Sequence, residues 1–258
     1  MGSVESCEEA LCFRLRNVRC MHCRLYLEAA LAAHEEVQFD AEQTRYLRQV
    51  MRLKAGDRIT VFNGLKGEFL AEINFLAKEG GSCVLSDFVD VNRELPCRVH
   101  IIQAANRSEK IETVLQKATE MGARGFQVVN SERASLNIPS NKREKRLERW
   151  QKIIIEAAEQ SGRTAIPTVI WKDKLAQAEC IGQGFVLHPR DAKLWSEVRD
   201  DLLGLQDITL AVGPEGGWAN QELNYLQSQG FQALKFGERV MRTETAAPAL
   251  LAAIQAVL

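Results

Sequence analysis

Residues 212–218 read Val-Gly-Pro-Glu-Gly-Gly-Trp, and residues 236–246 read Phe-Gly-Glu-Arg-Val-Met-Arg-Thr-Glu-Thr-Ala. Each stretch follows a predicted strand, over Ile208–Val212 and Gln232–Phe236, and leads into a predicted helix. Glycines let a ligand approach the backbone, and helix N-termini present unpaired N–H groups. A tight turn begun by proline is the alternative for the first stretch. The density of Arg, Thr and Glu in the second stretch favours a small-molecule site.

The segment after Arg242 is almost entirely apolar and rich in alanine, which predicts a buried helix without a polar stripe. Pro248 lacks a backbone N–H and is tolerated only in a first helical turn. Thr245 is therefore the expected N-cap. The N-terminus of this helix then lies directly after Arg242, where it can face a ligand.

Length and composition limit the classes of protein to consider. The chain has 258 residues, enough for one large domain or two smaller ones. Charged residues at 26% and hydrophobic residues at 46% are typical of a soluble globular protein. No apolar run approaches the roughly 20 residues that a membrane span needs. The net charge of −1 argues against a nonspecific polycation, although it averages over local patches.

Residues 1–20 lack the apolar core of a secretory signal, and their acidic residues are not typical of a transit peptide. We expect a disordered N-terminal extension here. Seven cysteines, an odd number, indicate free thiols in a reducing cytoplasm. Cys7, Cys12, Cys20 and Cys23 end in a CxxC pair, but their spacing fits no standard structural zinc site. We therefore expect no metal.

Residues 21–93 predict a small, antiparallel β-rich barrel. A short amphipathic helix is predicted over Asp40–Met51. Strands are predicted at 24–29, 58–63, 68–75 and 82–89, with glycine breakers between them. This part is locally basic, which is common in barrels that hold RNA but is also an ordinary charged surface. Its candidate RNA-binding residues are Arg48 and Arg52.

Residues 97–258 alternate strands and helices, which predicts an α/β domain with a mostly parallel sheet covered on both faces. Strands are predicted at 99–104, 125–129, 168–171, 184–188, 208–212 and 232–236. Helices are predicted at 108–122, with Ser108 as N-cap, and at 140–162. Ligands of such sheets sit beyond the carboxyl ends of the strands. Leu187 and His188 end one strand and add a third loop to the expected site.

Several common enzyme motifs are absent from the sequence. No strand is followed by G-x-G-x-x-G, and no G-x-x-x-x-G-K-[ST] occurs, which argues against a standard dinucleotide site and a P-loop. There is no HExxH among only four histidines and no G-x-S-x-G elbow. Zinc hydrolases and standard α/β-hydrolases are therefore disfavoured.

Residues 142–152 carry six positive and two negative charges in the first turns of a predicted helix. Leu147, Trp150 and Ile154 form its expected buried stripe, so the basic residues are expected to point outward. A solvated helix face and an RNA surface both account for such a run. The candidate RNA-binding residues of this part of the chain are Arg133, Lys142, Arg143, Lys145, Arg146 and Arg163.

Six motifs, in order and covering about residues 21–258, resemble those of the RsmE family. They include Ser-Glu-Arg at 131–133, the Gly-Pro-Glu-Gly-Gly loop, and Arg-Val-Met-Arg-Thr-Glu-Thr-Ala-Ala at 239–247. The other three lie at 46–57, 116–122 and 149–163. Members of this family are SPOUT-superfamily methyltransferases that methylate N3 of a uridine in small-subunit (16S) ribosomal RNA.

The resemblance implies a PUA-like RNA-binding barrel followed by a SPOUT domain with a C-terminal trefoil knot. Knots are nearly absent from proteins, so no general sequence rule predicts one. The resemblance also implies a cytoplasmic homodimer whose substrate is 16S rRNA in the assembled or nearly assembled small ribosomal subunit. S-adenosylmethionine (SAM) is expected in the knot loops. Residues 1–20 lie outside the pattern.

The expected cofactor site combines the three loops at the strand ends. Its residues are Leu187, His188, Gly213, Pro214, Glu215, Gly216, Gly217, Phe236, Gly237, Val240, Met241, Arg242, Thr243 and Thr245. We expect most contacts with the cofactor to involve backbone groups. No metal is expected to take part, because the methyl donor itself supplies the electrophile.

Uracil N3 carries a proton, so its methylation leaves negative charge that spreads onto the carbonyl oxygens of the ring. A fixed guanidinium stabilises such charge in a site with little water. Arg242 is the first candidate for this role and Arg239 the second, although Arg239 also suits pairing with Glu238 or Glu244. Glu215 or Glu244 is suited to accept the proton, and capping or loop hydrogen bonding is an equal alternative for both.

Two other functions fit parts of the pattern. A methyltransferase of transfer RNA or another RNA would share the cofactor site and differ in its RNA surface. A non-catalytic RNA-binding or ribosome-assembly factor would retain only the fold. The pair of glycine-containing loops argues against the second alternative, because a pure binding protein needs no cofactor site.

Overall fold

The computed structural model describes residues 23–136 and 138–258. The predicted N-terminal extension, residues 1–20, lies outside these ranges. Within them, no helix has the length and apolar character needed to cross a membrane. The chain divides between Val91 and Asn92 into two compact units.

The N-terminal unit is built on a five-stranded sheet. Its strands are β1 (Arg24–Tyr26), β2 (Glu36–Phe39), β3 (Arg58–Phe62), β4 (Glu68–Leu76) and β5 (Gly81–Val89). They are arranged in the order β1-β3-β4-β5-β2. Three neighbouring pairs are antiparallel, as predicted, but β1 and β3 run parallel. The parallel pair arises because the chain crosses over through β2 and a helix before it returns beside β1.

That helix, α1 (Ala41–Arg45), continues into a π-helical turn over Tyr46–Val50. Asp40 begins it with a capping box. The Asp40 carboxylate accepts a hydrogen bond from the Gln43 backbone N–H at 2.7 Å, and Gln43 Oε1 accepts one from the Asp40 N–H at 2.9 Å. Leu47 is fully buried and fixes the π turn against the core of the sheet. The predicted amphipathic helix is therefore present, with its second half in π geometry.

The C-terminal unit contains a seven-stranded sheet in which every neighbouring pair is parallel, which confirms the prediction of a parallel sheet. Its strands are β6 (Arg98–Ala104), β7 (Ala123–Val129), β8 (Thr168–Lys172), β9 (Gln183–Leu187), β10 (Lys193–Leu194), β11 (Asp207–Val212) and β12 (Gln232–Lys235). Their order in the sheet is β10-β12-β9-β11-β6-β7-β8. The strands β12, β9 and β11 are thus direct neighbours.

Helices of this unit lie on both faces of the sheet. They are α2 (Ser108–Glu120), α3 (Ser140–Ser161), α4 (Trp195–Val198), α5 (Asn220–Ser228) and α6 (Thr243–Gln255), with 3-10 turns at Leu175–Gln177 and Arg199–Leu202. Alternate residues of β6 point to opposite faces. Val99 and Ile101 pack in the core with α2, α3 and α6, whereas Ile102 and Ala104 pack with Trp218 and Leu226.

The long helix α3 matches its prediction closely. Trp150 and Ile154 are fully buried and Leu147 packs beside them, as its expected apolar stripe requires. The helix ends at Gly162, which takes the left-handed conformation with φ of 79° that favours glycine as a cap.

The predicted starts of two helices are wrong. Arg107, not Ser108, occupies the N-cap position of α2, and the Ser108 hydroxyl donates instead to Glu112 Oε1 at 3.0 Å. Arg242, not Thr245, occupies the N-cap position of α6. The Arg242 carbonyl accepts hydrogen bonds from the N–H groups of Thr245 and Ala246 at 2.9 and 3.1 Å. The helix begins early because its first residue, Thr243, is fixed by hydrogen bonds to Gln103 on β6 and to the Gly213 carbonyl after β11.

Candidate active site

Three loops at the carboxyl edge of the parallel sheet surround one cavity of about 710 Å³. They follow the neighbouring strands β12, β9 and β11. The His188 N–H donates to the Leu234 carbonyl at 3.0 Å, which joins the ends of β9 and β12. The Phe236 and Trp195 rings lie 6.0 Å apart between centroids beside this edge. The strand-end convergence expected from the sequence is therefore present.

The structure brings nearly all of the predicted cofactor residues together in the cavity lining. They are Leu187, His188, Gly213, Pro214, Glu215, Gly216, Gly217, Phe236, Gly237, Val240, Met241, Arg242 and Thr243. Of the other two catalytic candidates, Arg239 lines the cavity and Glu244 does not. Thr245 is exposed and does not line it, because α6 has already begun two residues earlier.

The hydroxyl group of Thr243 joins the two glycine-containing loops to the centre of the sheet. It donates to the Gly213 carbonyl at 2.8 Å and accepts from Gln103 Nε2 at 3.0 Å. Gln103 lies on β6 and is 1% exposed. A Cβ atom on Gly213 would lie 3.2 Å from the Trp218 ring, so the first loop packs closely as well. Both loops are therefore held at fixed positions relative to β6.

The Ser-Glu-Arg motif after β7 supports the first glycine-containing loop from outside. Arg133 Nη1 donates to the Gly216 carbonyl at 2.9 Å. The Glu132 N–H donates to Glu222 Oε1, and the other oxygen of Glu222 accepts from the Ala219 N–H, both at 2.9 Å. Arg133, predicted to bind RNA, is exposed and also stabilises the cofactor loop.

An ion cluster that the sequence analysis did not predict lies at the cavity wall. The ammonium group of Lys110, from the first turn of α2, pairs with Glu215 Oε1 and lies 3.3 Å from Glu244 Oε2. The hydrogen bond from Lys110 lowers the pKa of Glu215, and the charges of Lys110, Arg107 and Arg242 lower it further. Glu215 therefore stays ionised and is a weaker base than an isolated glutamate.

Arg239 does not take the structural role considered as its alternative, because Glu238 and Glu244 pair with lysines. Glu244 pairs with Lys110, and Glu238 pairs with Lys235 at 3.1 Å. Arg242 lies at the start of α6, is exposed, and lines the cavity with Arg239. Its backbone is fixed by the first turn of the helix, so the guanidinium extends from a rigid point.

The prediction that Arg163 contacts an RNA phosphate is wrong. Its side chain is buried with 3% of the residue exposed. It pairs with Glu94, with Nε 3.1 Å from Oε2, and its Nη1 donates to the carbonyls of Ala123 and Thr119 at 2.6 and 3.0 Å. Arg163 therefore fixes the chain after α3 to the ends of α2 and β7.

The basic run of α3 is divided between outward and paired side chains. Lys142 and Lys145 are exposed. Arg143 donates to Asp173 Oδ2 at 2.9 Å, and Arg146 donates to the Ser108 hydroxyl and lies 3.6 Å from Glu112. In the N-terminal unit, Arg52 is exposed and Arg48 is half-buried. The lysines are consequently better placed than the arginines of α3 to reach an external phosphate.

Across residues 23–136 and 138–258, no group of three or more His, Cys, Asp or Glu side chains is placed to hold a metal ion. Cys7, Cys12 and Cys20 lie outside these ranges.

Comparison with known families defines the class of the protein. Residues 93–255 match the family model of an RNA methyltransferase domain. Residues 39–85 match that of an RNA methyltransferase PUA domain. The larger match includes the cavity and all three of its loops.

Comparison with individual proteins identifies the family within this class. The ribosomal RNA small subunit methyltransferase E of Synechocystis sp. is 34% identical over 92% of this chain and 78% of its own length. The same enzyme from Neisseria gonorrhoeae, crystallised with S-adenosyl methionine, is 31% identical with a TM-score of 0.83, covering 92% of this chain and 98% of its own. A Legionella pneumophila methyltransferase solved with SAM is 33% identical with a TM-score of 0.84, covering 91% and 97%. The chain belongs to the ribosomal RNA small subunit methyltransferase E family.

Replacing Arg163 by Met should lower the free energy of unfolding by about 3 kcal/mol, because it leaves Glu94 and two carbonyls without their buried donor. Lys145→Met removes the same charge from an exposed site and should change stability by less than about 0.5 kcal/mol. Urea denaturation measures both. The salt dependence of RNA affinity should change only for Lys145→Met. If Arg163→Met kept normal stability but showed a weaker salt dependence of RNA affinity, Arg163 would bind RNA after all.

Thr243→Val should lower the free energy of unfolding by about 1–3 kcal/mol, since Gln103 and the Gly213 carbonyl lose a buried partner. Because Gly213 belongs to the cavity wall, affinity for the cofactor should fall as well. Thr245→Val, two residues along and exposed, is the matched control and should change neither quantity. Thermal melting and calorimetric titration test the pair, and equal effects of the two variants would contradict the bridging role.

Proposed function

We propose that this RNA methyltransferase transfers the methyl group of SAM to N3 of a uridine in small-subunit (16S) ribosomal RNA. The observation that carries the proposal is the cavity where three strand-end loops meet, with the first glycine-containing loop tied to the start of α6 through Thr243. Relatives with bound SAM that match over nine tenths of the chain support the choice of cofactor.

The residues of the cavity fit SAM. Its volume lies within the range of about 300–1,000 Å³ that is usual for small-molecule sites. Gly213, Gly216 and Gly217 leave their backbone accessible, while Leu187 and Met241 supply apolar surface. These residues would hold the cofactor, which supplies an electrophilic methyl group bound to a sulfonium centre.

We further propose that the C-terminal unit has SPOUT topology, with the trefoil knot formed by its last strands and helices. The order of the strands supports this proposal. After β11 the chain passes to β12, on the far side of β9, and α6 then returns to the side of α2 and β11. The N-terminal sheet would serve as the PUA-like RNA-binding module.

In the proposed reaction, the residues of this chain orient the uracil ring and stabilise its charge. The N3 proton passes to one of the two carboxylates that pair with Lys110, Glu215 or Glu244, and the electrons of the N–H bond spread onto the ring carbonyls. Arg242 supplies positive charge to them from a fixed helix start, as an oxyanion-stabilising donor does. Arg239, in the same lining, is the alternative donor.

The proposed substrate also indicates partners. We infer that the exposed Lys142 and Lys145, with Arg52 of the N-terminal unit, contact phosphates and position the RNA without reading its sequence. The assembled or nearly assembled small subunit is the proposed form of the substrate, the homodimer the proposed active state, and the cytoplasm the proposed location.

The substrate is tested by incubating the protein with small ribosomal subunits and isotopically labelled SAM. Nucleoside mass spectrometry should find the label in N3-methyluridine of 16S rRNA. Gly216→Val should abolish calorimetric SAM binding without unfolding the protein, since an added Cβ would meet only the flexible Arg133 side chain at 3.4 Å. Gly80→Val, whose Cβ would enter open space, is the matched control. If the label appeared only in transfer RNA, transfer RNA would be the substrate in place of 16S rRNA. If Gly216→Val bound SAM with unchanged affinity, this loop would not be part of the cofactor site.

Arg242→Ala should slow single-turnover methyl transfer on the order of 10²–10³-fold at saturating SAM and RNA, with both still bound. Arg239→Ala, from the same loop, should lose less. A joint fall in melting temperature and SAM affinity would make Arg242 structural. Near-normal turnover of Arg242→Ala would shift the role to Arg239.

A further inference from the structure

Lys110 reaches the cavity from an element that contributes nothing else to its lining. It lies in the first turn of α2, while the other lining residues belong to the three strands, their loops and the start of α6. Its carboxylate partners come from different elements. Glu215 lies in the loop after β11, and Glu244 lies in the first turn of α6. The ammonium group is thus fixed between the first glycine-containing loop and the start of α6.

The ammonium group retains a donor for a ligand. A lysine has three N–H donors and no acceptor. Glu215 accepts one hydrogen bond, and Glu244, at 3.3 Å, accounts for a second contact. The Lys110 side chain is still 24% exposed and belongs to the cavity lining. One N–H is therefore available to an acceptor that enters the cavity.

Charges around Lys110 favour a ligand that becomes anionic. Lys110, Arg107 and Arg242 all act on Glu215, and the second carboxylate of the group is Glu244. The cavity lining contains more cationic side chains than carboxylates: they are Lys110, Lys235, Arg239 and Arg242, against Glu215 and Glu238. The addition of Glu244 still leaves a local excess of positive charge. The hydrogen bond to Glu215 raises the pKa of Lys110, so its ammonium form persists into the alkaline range.

We propose that Lys110 is a further catalytic residue, whose ammonium group donates to a carbonyl oxygen next to uracil N3 and stabilises the uracil anion together with Arg242. This inference rests on the proposed uracil-N3 methylation. The N3–H bond breaks, its proton passes to Glu215 or Glu244 and then to solvent, and its electrons spread onto the ring carbonyls. The N3 lone pair forms the new N–C bond as the S–C bond of SAM breaks, and that electron pair remains on sulfur.

The same two donors would also select uracil over cytosine. Uracil presents one carbonyl acceptor on each side of N3, whereas cytosine carries an amino donor in place of one of these carbonyls. Cationic donors on both sides of N3 match the first pattern and leave the amino group of cytosine facing a like donor. Lys110 and Arg242 would therefore favour uracil in addition to stabilising its anion.

The test is the pH dependence of single-turnover methyl transfer at saturating SAM and RNA. Lys110→Met and Lys110→Gln should slow transfer on the order of 10²-fold near neutral pH, because the bound uracil loses a stabilising cation. Raising the pH should restore this loss, since a 10²-fold loss caused by a weaker uracil acid moves the rise of the rate profile upward by about two pH units. Lys110→Arg should keep the profile close to that of the unchanged protein.

Glu215→Gln separates this role from a purely structural one, because it breaks the same ion pair but keeps the ammonium group. The pH at which the rate of Glu215→Gln rises should be the same as for the unchanged protein, whatever the affinity of this variant for SAM. Melting curves and SAM titration of every variant establish folding and cofactor binding. A rate loss in Lys110→Met that is equal at all pH values, or a profile shared with Glu215→Gln, would overturn the catalytic role. If the unchanged protein methylates no uridine N3, the proposed function itself fails and this inference falls with it.

Discussion

The contact on which the site depends is the buried bridge through the Thr243 hydroxyl. It connects the Gln103 amide on β6 with the Gly213 carbonyl after β11, and it belongs to the first residue of α6. A buried hydrogen bond of this kind is costly to break on one side only. It therefore sets the separation of the two glycine-containing loops and the starting point of the last helix together.

Other contacts make the same edge of the sheet rigid from outside. Arg133 holds Gly216, and Lys110 connects Glu215 to Glu244. A site that binds a small cofactor largely through backbone groups depends on such support, because its own glycines provide little stiffness. The surrounding side chains thus supply both the rigidity and the charge that the glycine-containing loops lack.

The sequence predicted the elements better than their ends and their long-range partners. The spacing of apolar residues is sufficient to predict α3, because the buried stripe at Trp150 and Ile154 depends only on the local sequence. No local capping rule predicts the start of α6, because Thr243 is fixed by Gln103, 140 residues earlier. The residue type of Arg163 favours the surface, but its bonds to Glu94 and two carbonyls hold it in the interior. The role of Lys110 cannot be predicted from its neighbours in sequence, because its partners lie more than a hundred residues away.

The 140-residue separation of Gln103 and Thr243 also has a consequence for how the molecule acquires its shape. Contacts between distant parts of a chain form slowly, because the intervening segment must first be ordered. During synthesis β6 emerges early, yet its Gln103 amide cannot bond to Thr243 until the start of α6 has left the ribosome. The binding edge is therefore completed last, after the rest of the sheet can already form. A chain that ended before residue 243 would keep most of its cavity-lining residues but would lack the contact that holds the two glycine-containing loops together.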